Sequence, residues 1–395
     1  MKKIYYITAV FATLFLVGCG DGIDLPGVNV ETDLNKIPLP DNNVNLEQVE
    51  LKPSTEPMLH EGLHTEEDFQ RIRDKKAAGE EPWVSAYQLL VESQFSQKTA
   101  DTYPTEWIKR GVSGDENYMN AARGATIAYQ QALRWKIEQD DEYAAKAVEN
   151  LNKWVQTCVG VTGNTNLSLA AGLYGYEFAI AGELLRDYGG WDRADFAAFQ
   201  NWLLKVFYPA NDDFLKRHHD TNALHYWANW CLCNIAAKMA IGIVTDRRDI
   251  YNEGIAHLQT GDTNGRLRRA IYHDYAPDYN FAQWQESGRD QGHTLMCVGL
   301  MGIICQLAWS QGDDFFAYDD NLFLRACEYA ACCNYTNETV PYTTYIWQKQ
   351  SQWGYPIPEE QTTLGGGKWI KRAIWALPYY CLLYTSPSPR DTERS

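Results

Sequence analysis

Apolar side chains recur every three to four residues along most of this chain, and that period predicts helices. Helical patterns cover 82–95, 117–139, 141–158, 166–188, 191–209, 219–241, 246–261, 290–311, 319–334 and 367–380, with few strand signals between them. Thr65 and Asp68 have the spacing of a capping box that opens an earlier helix, on which Phe69 and Ile72 begin an apolar face. The segments 117–139 with 141–158, and 166–188 with 191–209, read as helical hairpins. Their spacing of roughly 35–50 residues suggests stacked helix pairs. The expected class is all-α, and an open solenoid or a closed α/α toroid satisfies the pattern. The stretch "LMCVGLMGIICQLAW" (295–309) has one polar side chain, Gln306. A helix apolar all round is covered on every side, as an inner helix of a toroid would be.

The two ends do not share the period. "MKKIYYITAVFATLFLVGCGDG" has basic Lys2 and Lys3, a short apolar run and small residues before Cys19. It is too short to span a membrane as a helix and reads as a lipoprotein signal, residues 1–18, with Cys19 lipidated. The protein is therefore expected to be exported and lipid-anchored in the cell envelope. Residues 19–56, rich in Asp, Asn and Pro, read as a flexible tether, and 57–380 as one helical domain. The final stretch, 381–395, "CLLYTSPSPRDTERS", resembles translated sequencing adapter and is expected to be non-native.

Charge narrows the partners. Without residues 1–18 the balance is 33 basic against 51 acidic side chains, a net −18. Such a chain repels polyanions at long range, so nucleic acid is not an expected partner, and an anionic substrate needs a local basic cleft. There are 14 Trp and 25 Tyr, which suit either a core or stacking on sugar faces. Of the ten Cys, none makes a CxxC pair or zinc spacing, and those within the helical runs read as buried thiols. No metal or cofactor is expected, and the domain is expected to be a monomer.

Two stretches carry candidate chemistry. "DYAPDYNFAQWQESGRDQGHT" (274–294) gathers Tyr279, Trp284, Glu286, Arg289, Gln291 and His293 at the start of a helix, whose positive end favours an anion. In "KRHHDTNALHYWANWCLCN" (216–234), Asn222, His225 and Asn229 recur at three and four residues and so line one helix face, flanked by Tyr226, Trp227 and Trp230. Arg266, Arg268 and Arg269 could form a basic lip, although a solvated surface run reads equally well.

"HEGLHTEEDFQRIRDK", "NWLLKVFYP", "YWANW", "GDTNG", "ESGRDQGHT", "AWSQGDDFF" and "EYAACCNYTNETVPY" together resemble the alginate lyase superfamily, most nearly polysaccharide lyase family thirty-eight, over about 58–345. The resemblance implies an α/α toroid that cleaves a uronate polymer, alginate or glucuronan, by β-elimination. On that basis Arg289 binds the carboxylate or activates a Tyr, while His225 and Asn222 neutralise the carboxylate. Tyr279 or Tyr226 serves as base and acid, with His293 as the competing base. Glu286 orients Arg289 or a hydroxyl, Gln291 and Asn229 contact substrate, and Trp227, Trp230 and Trp284 are sugar platforms. Better-known relatives carry Asn-Asn-His-x-Tyr-Trp, with a Tyr seven residues after the key Arg. Here His225 directly precedes Tyr226 and Trp227, and Met296 stands seven residues after Arg289. The rival readings are an envelope glycan-binding lipoprotein, which needs platforms but no proton transfer, and a glycoside hydrolase, which needs two facing carboxyl groups. Glu286 has no evident partner for the latter.

Overall fold

The capping box predicted at Thr65 forms: the Thr65 hydroxyl accepts from Asp68 N–H at 3.2 Å, and the Asp68 carboxylate accepts from Thr65 N–H at 2.9 Å. It starts α1 (Glu66–Ala77), which turns into α2 (Trp83–Glu92). The computed structural model describes residues 49–378, so the signal segment, Cys19 and the 381–395 tail lie outside the described residues. The long helices follow in hairpins: α3 (Tyr118–Glu138), α4 (Asp141–Thr157), α5 (Leu167–Leu184), α6 (Arg193–Val206), α7 (Tyr208–Arg217), α8 (Ala228–Val244) and α9 (Arg248–Thr260). After the short α10 (Leu267–Ala270) come α11 (Gln291–Ser310) and α12 (Tyr318–Tyr335). This is the expected all-α toroid.

α3 packs on α5, α5 on α8 and α8 on α11, while α4, α6, α7 and α9 lie outside them. The inner helices are buried almost all round, and on α5 even Glu177 and Glu183 are covered. That explains the unbroken apolar run of α11. Its length and composition would suit a membrane span, but it lies mostly buried among its neighbours. The inner helices also start at one end. β1 (Trp107–Arg110), which leads towards α3, pairs in parallel with β2 (Gly160–Gly163), which leads into α5. Asn234 on α8 donates to Ser168 O in the first turn of α5 at 3.2 Å, and Asn229 N–H at the start of α8 reaches Glu286 beside α11 at 3.2 Å. Four helix N-termini thus open on the same mouth, where the positive ends of their dipoles favour negative charge.

The periodic reading differs from the fold in four places. The expected tether to residue 56 ends earlier, because Val49 N–H already binds Gln259 Oε1 at 2.6 Å and Lys52 lies 3.3 Å from Asp313. The helix expected from 219 begins only at Ala228. His218, His219 and Asp220 are left-handed, with φ of 51°, 52° and 60°. Thr221 Oγ1 then bonds His218 O, and Asn222 Oδ1 takes Leu224 N–H, local bonds that compete with helix. The helix expected over 367–380 is an irregular strap through residue 375, running from the glycines 365–367 and tied to α12 where Trp369 N–H meets Asn334 O. Gly365 is required at its start: a Cβ there would stand 2.5 Å from the Arg289 carbonyl carbon. Finally, "NYTNETVPYTTYIWQ" (334–348), which reads from sequence as an aromatic loop, runs into an antiparallel hairpin, β5 (Tyr345–Gln350) and β6 (Pro356–Gln361). A second small hairpin, β3 (Ile271–Asp274) with β4 (Ala282–Trp284), leads into the 283–294 cluster. Cys158, Cys231, Cys233, Cys297, Cys305, Cys327, Cys332 and Cys333 are all buried thiols, as their apolar settings predicted.

Candidate active site

Because 221–227 is a loop, Asn222, His225 and Asn229 do not share a helix face. The loop is pinned to the hairpin instead. The Asn222 amide donates to Gln348 O at 3.0 Å and Gln350 Oε1 at 2.9 Å, so it anchors β5 rather than neutralising a carboxylate. His225 stacks on Trp347 at 5.7 Å, and its Nδ1 accepts from Gln350 N–H at 2.9 Å. With Nδ1 accepting, the neutral ring carries its proton on Nε2. Burial and the charge of Lys349 both lower the His225 pKa, favouring that neutral form. His225 is therefore built as a donor through Nε2.

The backbone around His225 is clamped. Asn264 Nδ2 donates to Leu224 O at 3.1 Å and Tyr226 O at 2.9 Å, and Trp347 Nε1 donates to His225 O at 2.6 Å. Asn264→Ala strips two of these three bonds. The expected result is a kcat loss of up to about 10²-fold, the effect of displacing a catalytic group by about an ångström, with KM little changed. Initial rates, with circular dichroism to confirm folding, check this.

At the other side, the turn 285–288 caps α8. Gln285 Oε1 takes Ala228 N–H at 3.0 Å, and Glu286 Oε1 takes Asn229 N–H at 3.2 Å, satisfying orphan donors of that helix. Glu286 is fully buried, and its Oε2 lies 3.3 Å from Arg289 Nη1. Burial raises the Glu286 carboxyl in spite of the Arg289 and His293 charges. The partly exposed guanidinium of Arg289 is held over the Trp227 ring, 5.3 Å from its centroid.

Asp290 is the N-cap of α11. Its Oδ1 accepts from His293 N–H at 2.8 Å, and its Oδ2 lies 2.6 Å from His293 Nδ1. Burial works to raise the Asp290 carboxyl, but the His293 hydrogen bonds and the charges of His293 and Arg289 outweigh it and leave the pKa lowered. In its neutral form His293 keeps its proton on Nδ1 against the Asp290 carboxylate, which leaves the Nε2 lone pair to accept one. As neutral rings the two histidines thus take opposite tautomers, one presenting N–H and the other a lone pair. They are joined through packed groups: His225 stacks on Trp347, Trp347 lies 5.1 Å from Trp227, and Trp227 faces Arg289, the neighbour of Asp290.

Other expected residues lie elsewhere. Trp284 is fully buried, with Nε1 bonded to Ala326 O at 2.8 Å, so it is a core residue and cannot be a sugar platform. Gln291 is 1% exposed, and its amide ties Ser287 O to Gly365 O, so it braces the strap and does not contact substrate. Tyr226 is buried against Phe214, 5.0 Å away, and Trp230, 4.8 Å away, and burial raises its pKa. Asn229 is buried beside Glu286, its Nδ2 reaching Met296 Sδ at 3.6 Å and its Oδ1 having no hydrogen-bond partner among the described residues. Arg268 is ion-paired with Asp319 rather than forming a lip.

Tyr279 is exposed on the loop between β3 and β4, edge-on to Tyr275 at 6.5 Å, and among the described residues no hydrogen bond or ring contact joins it to Arg289 or His225. That loop is held by Asn280 Nδ2, which donates to buried Glu328 at 2.6 Å. Burial, opposed by Arg325, pushes the Glu328 carboxyl from 4.5 up to about 8. A raised folded pKa gives stability that is complete below the unfolded value and lost as pH rises towards the folded one. Glu328→Gln keeps an acceptor for Asn280 but no longer titrates. Its melting temperature relative to the parent is expected to rise between about pH 4.5 and about 8, then level off. Thermal melts across that range test it.

From sequence the stretch 334–348, with Tyr345 and Trp347, reads as an aromatic loop and a weaker candidate for sugar contact; Lys349, Gln350 and the positioning roles of Asn264 and Asp290 are not legible there. The β-branched and aromatic run "YTTYIW" was the available strand signal. Burial pushes the Tyr345 hydroxyl up to about 12, against hydrogen bonds from Gln285 and Asn264.

An α/α toroid whose mouth gathers helix N-termini, aromatic faces and opposed histidines is the architecture of a polysaccharide lyase. The chain belongs to the alginate lyase family, whose sequence profile matches residues 72–338. None of the curated proteins matches it. Among solved structures it resembles the alginate lyase A1-III of Sphingomonas species A1 in two variants complexed with tetrasaccharide. For the histidine-to-alanine variant, identity is 15% over 69% of this chain and 79% of that one, with a TM-score of 0.50. For the tyrosine-to-phenylalanine variant it is 14% over 73% and 80%, with a TM-score of 0.51. An alginate lyase from Bacteroides ovatus is 14% identical over 66% and 81%, with a TM-score of 0.47. At these identities the likeness is one of fold.

Proposed function

We propose that this lyase cleaves a polyuronate, polymannuronate or glucuronan, by β-elimination of the family-thirty-eight kind, with His293 as base. A uronate ring lies on Trp227, and its carboxylate meets Arg289 and the Nε2–H of His225. Those donors stabilise the charge that develops on the carboxylate as the C5 proton leaves. The Nε2 of His293 takes that proton, the C4–oxygen bond breaks, and a C4=C5 double bond forms while the leaving oxygen takes the proton from the His293 Nε2–H. Neutralisation is necessary because the C5 proton is barely acidic beside an uncompensated carboxylate. The observation that carries this reading is the pair of Nδ1 contacts, Gln350 N–H to His225 and Asp290 to His293, on rings linked through Trp347, Trp227 and Arg289. Tyr226 and Tyr279 suit the base role less, one being packed in the core and the other standing on the β3–β4 loop.

The test is incubation with polymannuronate and with glucuronan, following the ultraviolet absorbance of the unsaturated uronate. A rise supports the reading and identifies the polymer. Reducing ends without unsaturation would overturn it in favour of hydrolysis, and retention of polymer without product in favour of a binding lipoprotein. We further propose that the protein is exported and anchored by lipid at Cys19, supported by the basic, apolar and small-residue order of residues 2–19. Fatty-acid labelling that persists in Cys19→Ala would refute the anchor.

A further inference from the structure

The hairpin β5–β6 reaches past the groups assigned above. Its base is fully engaged: Tyr345 is buried, Trp347 packs on His225 and Trp227, and Gln350 bonds both His225 and Asn222. Its outer part has large apolar side chains in water instead. Trp353 is 73% exposed, Tyr355 55% and Ile357 46%. The local bonds here only shape the turn: Ser351 Oγ accepts from Trp353 N–H at 3.2 Å and Tyr355 N–H at 3.1 Å. An isolated two-stranded hairpin is marginally stable in water, and exposed rings at its tip add nothing to the core. Just inside the tip, Lys349 is half exposed, with its ammonium 5.5 Å from the Trp347 ring and 3.2 Å from the equally exposed Glu359. Pairs exposed to that degree are weak and readily exchanged for another anion.

The tip is also close to the site. Gln350 N–H bonds the His225 ring, and Trp353 is three residues further on. Three residues span at most about 10 Å, which fixes how far the Trp353 backbone can stand from that contact.

We infer that the outer half of this hairpin is a further binding subsite for the acidic polysaccharide. Lys349 pairs with a uronate carboxylate there, and Trp353 and Tyr355 stack on sugar faces beyond the unit held at Trp227. The inference rests on the polyuronate-cleaving reading. The occupant is the same polymer chain, because aromatic faces and an exchangeable cation continue outward from Trp227 without a break: Trp347, Lys349, then the tip. The subsite favours long chains over short ones and leaves the chemical step unchanged.

The experiment compares the parent with Trp353→Ala/Tyr355→Ala. Each is assayed on long polymer and on a trisaccharide of the same uronate, and each is run in native gels containing the polymer. Both rings are exposed, so the double variant keeps the fold, which circular dichroism verifies. The expected result is a fall of about tenfold in kcat/KM on the polymer, unchanged kcat/KM on the trisaccharide and weaker retardation in the gel. Equal activity of parent and double variant on both substrates, with equal retardation, overturns the inference while the lyase reading stands. A parent that is retarded but cleaves nothing, with a double variant that is not retarded, keeps the subsite and removes the lyase reading. A parent neither active nor retarded removes both.

Discussion

Arg289→Ala is expected to lower kcat on the polyuronate by about 10²–10³-fold, the loss that follows removal of one donor to a developing oxyanion. KM should rise as well, because the guanidinium meets the carboxylate before reaction as well as during it. Arg289 is held by Glu286 at 3.3 Å and by the Trp227 face at 5.3 Å, so its position is fixed before substrate arrives. Arg289→Lys keeps the charge but loses the planar fork and the stacking, and should recover only part of the activity. Glu286→Gln tests the same pair from the buried side. It retains an acceptor for Asn229 N–H but no longer holds the guanidinium by charge. If the pair acts as a unit, the two substitutions together cost little more than Arg289→Ala alone. Steady-state kinetics of the four proteins decide this, and full additivity would show that Glu286 does not act through Arg289.

Asp290→Asn should be nearly as damaging as His293→Ala, although Asp290 touches no substrate in the proposed mechanism. Loss of a general base removes about 10²–10⁴ in rate, which is the expectation for His293→Ala. An asparagine at 290 still caps α11 through its side-chain oxygen, so stability should hardly change. Its amide nitrogen, however, would donate to His293 Nδ1 and drive the ring proton to Nε2, where the lone pair is needed. Nitrogen chemical shifts of His293 report that tautomer directly. A variant with the flipped tautomer and parental activity would eliminate His293 as the base, and unchanged shifts with lost activity would assign Asp290 another role.

Much of this site is legible in the amino-acid sequence, and the parts that are not have definite causes. Arg289, Glu286 and His293 sit close to one another in sequence at a helix start, so local spacing brings them together correctly. Asn222, His225 and Asn229 also have helical spacing, but side-chain bonds from Thr221 and Asn222 capture the backbone and delay the helix to Ala228. Trp284 and Gln291 are polar-cluster neighbours whose burial depends on α12 and the 365–367 strap, neither of which is local in sequence. Period alone cannot say which side of such a cluster faces water. Asn264 is visible only as part of the GDTNG block. Its role depends on carbonyls 38 and 40 residues away, a long-range pairing no sequence period encodes.

The stretch matched to the alginate lyase family ends at residue 338, and the hairpin begins at Tyr345. The floor of the cleft, with Arg289, Asp290 and His293, therefore belongs to the matched helical body, while its roof comes from a separate excursion of the chain. That roof meets the floor through side-chain bonds at Asn222 and His225 and through aromatic faces, not through a shared helix. The hairpin thus couples reaction to recognition: its base, Trp347 and Gln350, holds His225, while its exposed tip, on the proposed reading, meets the polymer.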